Sequence, residues 1–260
     1  MQTNSDEVEP AYPSPARAWY MVILLTILYM FSFLDRTIIV LLIEPIKADL
    51  GLSDTQLSLL YGFAFALFYT LLGIPIARMA DRRNRRTIIM WGVAIWSVMT
   101  AICGIARNFG QLFIARMGVG VGEAALSPAA YSLISDSFPP NERARAMSVY
   151  TMGLYLGVGL ALVLGGVVIE WVASIGTVEL PILGEIRAWQ ATFMAVGLPG
   201  LLLAGLMMTV REPLRRELGS LQAGKEKEQV SLREAIAWFA ERWRFYFVFF
   251  GAMSCLVLYS

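Results

Sequence analysis

The stretch QLFIARMGVGVGEAALSPAAYSLISD, residues 111–136, decides the fold class of this chain. It is mostly apolar, and at about 1.5 Å per residue a helix of this length crosses a hydrocarbon core of ~30 Å. Arg116 and Glu123 nevertheless lie inside it, seven residues apart and so on one helix face. Placing a charged side chain at mid-membrane costs about 2.5–3.5 kcal/mol of insertion free energy. A sequence retains such a residue only when it is paired with an opposite charge, is hydrated or has a function. The stretch predicts a membrane-spanning helix with a functional polar site, and Pro128 predicts a kink in it.

The composition of the whole chain indicates an integral membrane protein. Of its 260 residues 57% are hydrophobic and 16% are charged, whereas a soluble domain has about 25% charged residues. The chain contains no histidine, which excludes a Ser-His-Asp triad and an H-E-x-x-H zinc site. We expect neither a cofactor nor a metal. The net charge of +1 gives no sign of nucleic-acid binding.

Six apolar runs predict six membrane-spanning helices, and the segments between them predict loops. The six runs are residues 19–43, 54–77, 87–106, 111–136, 142–170 and 190–210. Residues 1–17 predict a disordered cytoplasmic tail because they are acidic and proline-rich. Residues 211–242 predict a cytoplasmic linker with an amphipathic helix, and residues 243–260 the start of a seventh span. We therefore expect a fragment, or the first half, of a longer chain.

The distribution of basic residues predicts the orientation in the membrane. With the N-terminus inside, 16 of the 21 Lys and Arg residues fall in inside segments and three in outside loops. The remaining two, Arg36 and Arg116, fall within spans. Because basic residues accumulate in cytoplasmic loops, we predict a multi-pass protein of the cell inner membrane with a cytoplasmic N-terminus.

This orientation brings the charges of the first and fourth spans to comparable depths. Asp35 lies about 12 Å below the outer end of the first span and Arg116 about 9 Å below that of the fourth, so the two can pair if the helices adjoin. Glu123 lies about two turns deeper, near the midplane, where apolar surroundings disfavour a bare carboxylate. Arg36 points about 100° round the helix from Asp35. We predict a buried cluster of two acids and two bases with no net charge; a purely structural ion cluster stays open.

Three segments resemble signatures of the major facilitator superfamily. Residues 77–89, ARMADRRNRRTII, are similar to its G-x-L-A-D-R-x-G-R-R-x-x-L segment, with Ala77 and Asn84 in place of the two glycines. Residues 136–146 resemble its D-x-F-P-x-x-x-R-x-x-A segment after the fourth span. Arg116 with the glycines that follow it resembles its R-x-x-x-G-x-G motif.

Within the superfamily the chain most resembles Spinster-type transporters, through Leu34-Asp35-Arg36 and the sequence GVGEA at residues 120–124. The resemblance implies an all-α major facilitator fold, in which residues 18–210 form an N-terminal six-helix bundle of two inverted three-helix repeats. It implies a proton-coupled secondary transporter that works by alternating access on a lysolipid or sphingoid lipid.

Other functions stay open alongside this one. A proton symporter of a small organic anion such as a sugar acid is the first alternative, and a membrane channel or receptor is the second. An enzyme is not expected, because the sequence offers no nucleophile, metal cluster or cofactor loop. The expected partners are a small-molecule or lipid substrate, protons and membrane lipids, and we expect a monomer that binds no nucleic acid.

The candidate functional residues form three groups. The substrate-binding and proton-coupling group has Arg116 as the anion anchor and Glu123 with Asp35 as proton carriers, and it comprises Asp35, Arg36, Arg116 and Glu123. The cytoplasmic gate, in which Asp81 is expected to pair with Arg85 or Arg86, comprises Asp81, Arg82, Arg85, Arg86 and Asp136. A role of these arginines in topology alone stays open. The small-xxx-small spacing of Gly118 and Gly122 predicts close helix packing.

Overall fold

The computed structural model describes residues 12–175, 178–180, 184–216 and 232–259. The helices of its first compact unit are α1 Pro15–Leu41, α2 Ile43–Leu50, α3 Asp54–Arg82, α4 Arg85–Cys103, α5 Phe109–Glu123, α6 Leu126–Ser137, α7 Pro140–Ile175 and α8 Ala188–Met207. Within the described residues, five of these helices (α1, α3, α4, α7 and α8) are long and apolar enough to span a membrane. The predicted all-α membrane architecture is confirmed.

Two further features follow α7 and α8 in the described residues. Between α7 and α8, strands β1 Val178–Leu180 and β2 Gly184–Ile186 form a short antiparallel ribbon where the sequence predicted only a loop. A second compact unit, residues 215–260, contains α9 Leu232–Glu241 and α10 Trp243–Tyr259. Helices α9 and α10 thus lie where the sequence predicted the amphipathic helix and the start of a seventh span.

The fourth span consists of two helices rather than one kinked helix. α5 ends at Glu123 and α6 begins at Leu126, with Ala124 and Ala125 in a turn. Pro128 has no N–H to bond the carbonyl of Ala124, and its ring clashes with that carbonyl in a continuous helix. The break therefore lies one turn before the proline that predicted it. It makes Glu123 the last residue of α5.

Two segments are helical where the sequence predicted irregular chain. α1 begins at Pro15, inside the predicted tail of residues 1–17, because proline is preorganised for the first turn of a helix. The loop predicted after the first span forms α2, which ends at Gly51 in the left-handed conformation. Asp49 of α2 accepts a 2.8 Å hydrogen bond from Trp189 Nε1 at the start of α8. A tertiary contact thus supports a helix too short to be stable alone.

Three of the helix pairs follow the symmetry of two three-helix repeats. α1 packs along α7, α3 along α5, and α4 along α8. Exchanging the first span with the fourth, the second with the fifth and the third with the sixth maps these pairs onto one another. The bundle therefore has the arrangement expected of repeats with inverted topology. We call the end of the bundle that carries Arg82 and Arg83 the basic end, and the opposite end the far end.

The backbones of α4 and α5 approach each other closely at Gly122. A Cβ atom added to Gly122 would lie 2.6 Å from the Gly92 carbonyl oxygen and 2.6 Å from the Trp96 nitrogen, both backbone atoms. At Gly118 the added atom would instead meet the flexible side chain of Met99, 2.6 Å from its Cγ. Both glycines face α4, but only Gly122 touches backbone that cannot move aside.

We expect Gly122→Ala to lower the free energy of unfolding by about 1–3 kcal/mol, since the methyl group forces α4 and α5 apart. The matched control is Gly166→Ala on α7, where nothing lies within 4 Å of the added atom and alanine has the higher helix propensity. Thermal unfolding in detergent micelles compares the two. Equal melting temperatures for the two variants would show that this contact tolerates a side chain.

Candidate functional site

A layer of polar side chains crosses the bundle where its two apolar clusters meet. On α1 the cluster of the basic end stops at Leu28 and that of the far end resumes at Ile38, and on α4 the corresponding residues are Trp96 and Cys103. The buried polar residues of this region are Ser32, Asp35, Ser97, Thr100, Arg116 and Glu123, which we call the polar layer. Burying polar groups costs free energy, so their concentration in one layer marks the candidate site.

The first ion pair of the polar layer joins α1 to α5. Arg116 Nη1 lies 3.7 Å from Asp35 Oδ2, and the two side chains are 1% and 3% exposed. This separation exceeds a hydrogen bond. Neither carboxylate oxygen of Asp35, and neither Nε nor Nη1 of Arg116, has a hydrogen-bond partner in the part of the chain that the structure describes. The Asp35 carboxylate can therefore take up a proton, and the Arg116 N–H groups can donate to a ligand.

The second ion pair joins the same two helices and is tighter. Glu123 Oε2 accepts hydrogen bonds from Arg36 Nε at 2.6 Å and from Ser32 Oγ at 2.7 Å. The Arg36 guanidinium also lies 4.6–5.0 Å from the centroids of three aromatic rings, those of Phe33, Phe65 and Tyr69. Cation–π contacts of this kind hold a guanidinium in place independently of its carboxylate partner. The consecutive residues Asp35 and Arg36 therefore each bind the oppositely charged residue of α5.

An open cleft of about 440 Å³ adjoins both pairs. Its walls are largely aliphatic and aromatic, with two cations among them, and they comprise Phe33, Arg36, Thr37, Val40, Tyr61, Gly62, Phe65, Ala66, Arg116 and Val158. The Arg36 side chain is 26% exposed and that of Arg116 is 1% exposed. Arg36 is thus the more accessible cation, although the sequence favoured Arg116 as the anion anchor. The volume and the few convergent polar groups are typical of a small-molecule site.

A second cluster of charges centres on Arg85 at the basic end. Its side chain is fully buried, pairs with Asp136 and donates to Ser132 Oγ at 2.8 Å. Its Nε donates to Glu212 Oε1 at 2.8 Å, and Glu212 also accepts from the backbone N–H of Arg86 at 3.0 Å. Glu212 therefore places a carboxylate at the N-terminus of α4, where the helix dipole stabilises negative charge. We call Arg85, Asp136 and Glu212 the Arg85 cluster.

The Arg85 cluster shares Arg85 and Asp136 with the predicted gate and adds Glu212. We did not predict Glu212, which lies just after α8. A carboxylate immediately after an apolar span, at the arginine-rich end of the bundle, could have been recognised in the sequence as a candidate partner for an arginine. Asp81 and Arg82 lie exposed at the end of α3. The carboxylates that Arg85 contacts are Asp136 and Glu212, and the pairing of Asp81 stays a prediction.

Comparisons with known proteins give consistent matches. A family model described as Major Facilitator Superfamily matches residues 25–260. The chain is 32% identical over 196 residues to an MFS-type efflux pump of Mycolicibacterium smegmatis, covering 75% of this chain and 42% of that protein. It is 30% identical over 218 residues to a probable L-galactonate transporter of Escherichia coli, covering 82% and 44%.

A solved structure is more similar still in sequence. A bacterial homologue of the human lysosomal transporter Spinster, in an inward-facing and unoccupied conformation, has a TM-score of 0.73 at 38% identity. The match covers 88% of this chain and 50% of that one. The chain thus spans half the length, or less, of these three relatives. The similarities confirm the resemblances found in the sequence motifs.

Proposed function

Because the chain belongs to the major facilitator superfamily, we propose that it works in a proton-coupled secondary active transporter that alternates in access between the two sides of the membrane. In this proposal residues 18–210 are the N-terminal bundle, residues 211–242 the cytoplasmic linker and residues 243–260 the start of a seventh span. The chain is a multi-pass membrane protein, and the positive-inside distribution supports a cytoplasmic N-terminus in the cell inner membrane.

The main support for this proposal is the pair of ion pairs beside the cleft, in which Arg36 of α1 pairs with Glu123 of α5 and Asp35 of α1 pairs with Arg116 of α5. With Asp35 and Glu123 both ionised, the four charges sum to zero. Protonation of either acid leaves one positive charge in a buried site, where charges interact strongly. That charge favours an anion in the cleft, and the anion in turn favours the proton, since coupling between two ligands is reciprocal. Proton and anion binding are therefore linked at this site.

The lining of the cleft supports an anionic amphiphile, such as a lysolipid, as the substrate. Arg36 and Arg116 offer guanidinium groups suited to a carboxylate or phosphate headgroup. Val40, Phe65 and Val158 offer apolar surface to a chain. A sphingoid lipid is the related possibility that the Spinster resemblance implies.

A small organic anion such as a sugar acid is the second candidate, and the relative from Escherichia coli with L-galactonate in its name favours it. The two substrates share the anionic group that the arginines recognise. They differ in whether the apolar wall contributes to binding.

Uptake into liposomes that contain the intact protein separates these candidates. A labelled anionic lysolipid and labelled galactonate are compared side by side under an imposed pH gradient. We expect the gradient to accelerate lysolipid uptake, an uncoupler to remove the effect, and unlabelled substrate inside to drive counterflow. Gradient-driven uptake of galactonate alone would favour the sugar-acid reading. Unsaturable flux without counterflow would indicate a channel and reject the proposal.

We expect Arg36→Lys to raise the substrate dissociation constant about 10- to 100-fold, because hydrogen bonds to a charged group contribute about 1.5–3 kcal/mol and lysine cannot reproduce the planar fork of arginine. Arg107→Lys, at an exposed arginine that does not line the cleft, is the matched control. Equilibrium binding of labelled substrate measures both. Unchanged affinity in Arg36→Lys would remove Arg36 from the binding site.

We assign the Arg85 cluster, with Asp81, Arg82 and Arg86, to a cytoplasmic gate whose contacts change as the transporter alternates. Arg85 is buried against carboxylates from two other chain segments, and this supports the role. A buried cluster of this kind rearranges between two discrete states, because intermediate positions would leave charges unpaired. Distances between spin labels on the two halves of the intact protein test it. An unchanged inward-to-outward ratio in Asp136→Asn would dismiss the gate.

A further inference from the structure

A second groove opens on the bundle at its basic end, between α3 and α4, with α5 and the following turn as its floor. Its volume is about 600 Å³, within the range of ligand sites. It is lined by Ile76, Met79, Arg83, Asn84, Thr87, Ile88, Trp91, Gly92, Ile95, Val121, Gly122 and Ala125. None of these residues lines the central cleft. The groove is therefore a separate feature of the fold.

The body of the groove is an apolar trough with a rigid floor. Trp91 is 60% exposed, and Met79 and Ile95 beside it are also exposed. The floor is formed where Gly92 packs on Ala125, so tightly that a Cβ atom on Gly92 would lie 2.6 Å from the Ala125 Cβ. An exposed tryptophan about two turns from a helix end is typical of the membrane interface.

The mouth of the groove is cationic. Arg83, Asn84 and Thr87 surround it. The backbone N–H groups of Arg85 and Arg86 donate to Glu212, and that of Thr87 donates to Asn84 Oδ1. The first-turn amides of α4 are thus already used, so an anion at the mouth would be recognised by the Arg83 side chain. Guanidinium groups bind phosphate through two parallel hydrogen bonds.

An apolar trough that ends in a guanidinium matches one class of ligand, an amphiphile with an anionic headgroup. We propose that this groove binds an anionic phospholipid of the surrounding leaflet. Its headgroup phosphate lies at Arg83, and one acyl chain lies along Trp91 and Ile95. The site is distinct from the substrate cleft and does not depend on what the protein transports. Because its floor includes Gly122 and its mouth adjoins Arg85, a bound lipid touches helices that carry both charge clusters.

Quenching of tryptophan fluorescence by brominated lipids tests this site directly. The intact protein is placed in phosphatidylcholine nanodiscs that contain an equal fraction of acyl-brominated phosphatidylglycerol or acyl-brominated phosphatidylcholine. The chain has seven tryptophans, so the signal of Trp91 is the difference between the unaltered protein and Trp91→Phe. We expect an about five-fold preference of the Trp91 site for the anionic lipid, the scale of one basic side chain near a membrane surface.

Two charge variants separate a built site from general attraction to a basic surface. We expect Arg83→Gln to remove the preference while quenching by brominated phosphatidylcholine persists, which also reports an intact fold. Arg82→Gln removes the same charge from the same turn but does not line the groove, and we expect it to retain the preference. Equal quenching by both lipids, or a preference that survives Arg83→Gln, would overturn the proposal. Trp91 quenched by neither lipid would mean that a protein segment fills the groove, which overturns it too.

Discussion

Glu123→Gln is expected to abolish substrate accumulation driven by a pH gradient while leaving counterflow intact. Glutamine keeps the shape of the side chain, and its carbonyl oxygen can still accept from Ser32 and Arg36, as Glu123 Oε2 does at 2.7 and 2.6 Å. The variant cannot take up a proton. It therefore separates the geometry of the site from its titration, and accumulation falls to the equilibrium level.

The environment of Glu123 makes it suited to a reversible proton. Its side chain is fully buried, so the bare carboxylate depends on Arg36 and Ser32 for stabilisation. Within the described residues its Oε1 has no hydrogen-bond partner, which leaves one oxygen for a proton. We expect the aromatic rings around Arg36, Phe65 among them, to hold its guanidinium in place when the carboxylate is neutralised. Protonation can then alter one contact without dismantling the cluster.

The matched control for this prediction is Glu44→Gln, at an exposed carboxylate of α2. We expect that variant to accumulate substrate normally. Gradient-driven accumulation in Glu123→Gln at the level of Glu44→Gln would assign the proton to another group, and Asp35→Asn would be the next variant to measure.

Arg85→Ala is expected to have the largest effect on stability. The substitution removes the cation that both Asp136 and Glu212 contact, along with its hydrogen bond to Ser132. Removing one partner of a buried ion pair costs about 3–5 kcal/mol, because the remaining charge keeps its desolvation penalty. For a chain of this size that lowers the melting temperature by roughly 6–20 °C. Thermal unfolding in detergent measures it.

The control is Arg82→Ala, which removes an exposed arginine from the same turn. Exposed ion pairs contribute at most about 1 kcal/mol, so we expect a small change there. The double variant Arg85→Ala/Asp136→Asn should recover part of the loss, since it removes a carboxylate together with its cation. A melting temperature of Arg85→Ala equal to that of Arg82→Ala would mean that the cluster contributes nothing to the fold.

Much of the fold was predictable because it follows from local chemistry. Apolar runs fix which segments span the membrane, since each buried backbone group must be satisfied within its own helix. The apposition of Asp35 and Arg116 was also open to prediction, because helix rise converts sequence position into depth. The break after Glu123 was signalled by Pro128, although its place one turn earlier depends on the carbonyl that the proline ring displaces.

The remaining features depend on tertiary contacts that no local pattern encodes. The sequence of α2 predicts a loop, because this short helix is stabilised by a tertiary contact, the hydrogen bond that Trp189 donates to Asp49. Arg36 points about 100° round the helix from Asp35, yet its long side chain extends to Glu123 and is held there by the surrounding aromatic rings. The direction of the helix face alone therefore does not predict this ion pair. Glu212 joins the Arg85 cluster from just after the end of the neighbouring helix α8, 127 residues further along the chain.

In the proposed mechanism, the buried cluster of Asp35, Arg36, Arg116 and Glu123 takes up and releases the coupled proton. The most direct measurement is substrate-induced proton movement, recorded with a pH-sensitive dye trapped inside liposomes that contain the intact protein. We predict that adding substrate changes the internal pH, and that Glu123→Gln gives no change at a substrate concentration that saturates its binding. If Glu123→Gln and Asp35→Asn each gave the same change in internal pH as the unaltered protein, neither acid would carry the coupled proton and the proposed mechanism would be wrong.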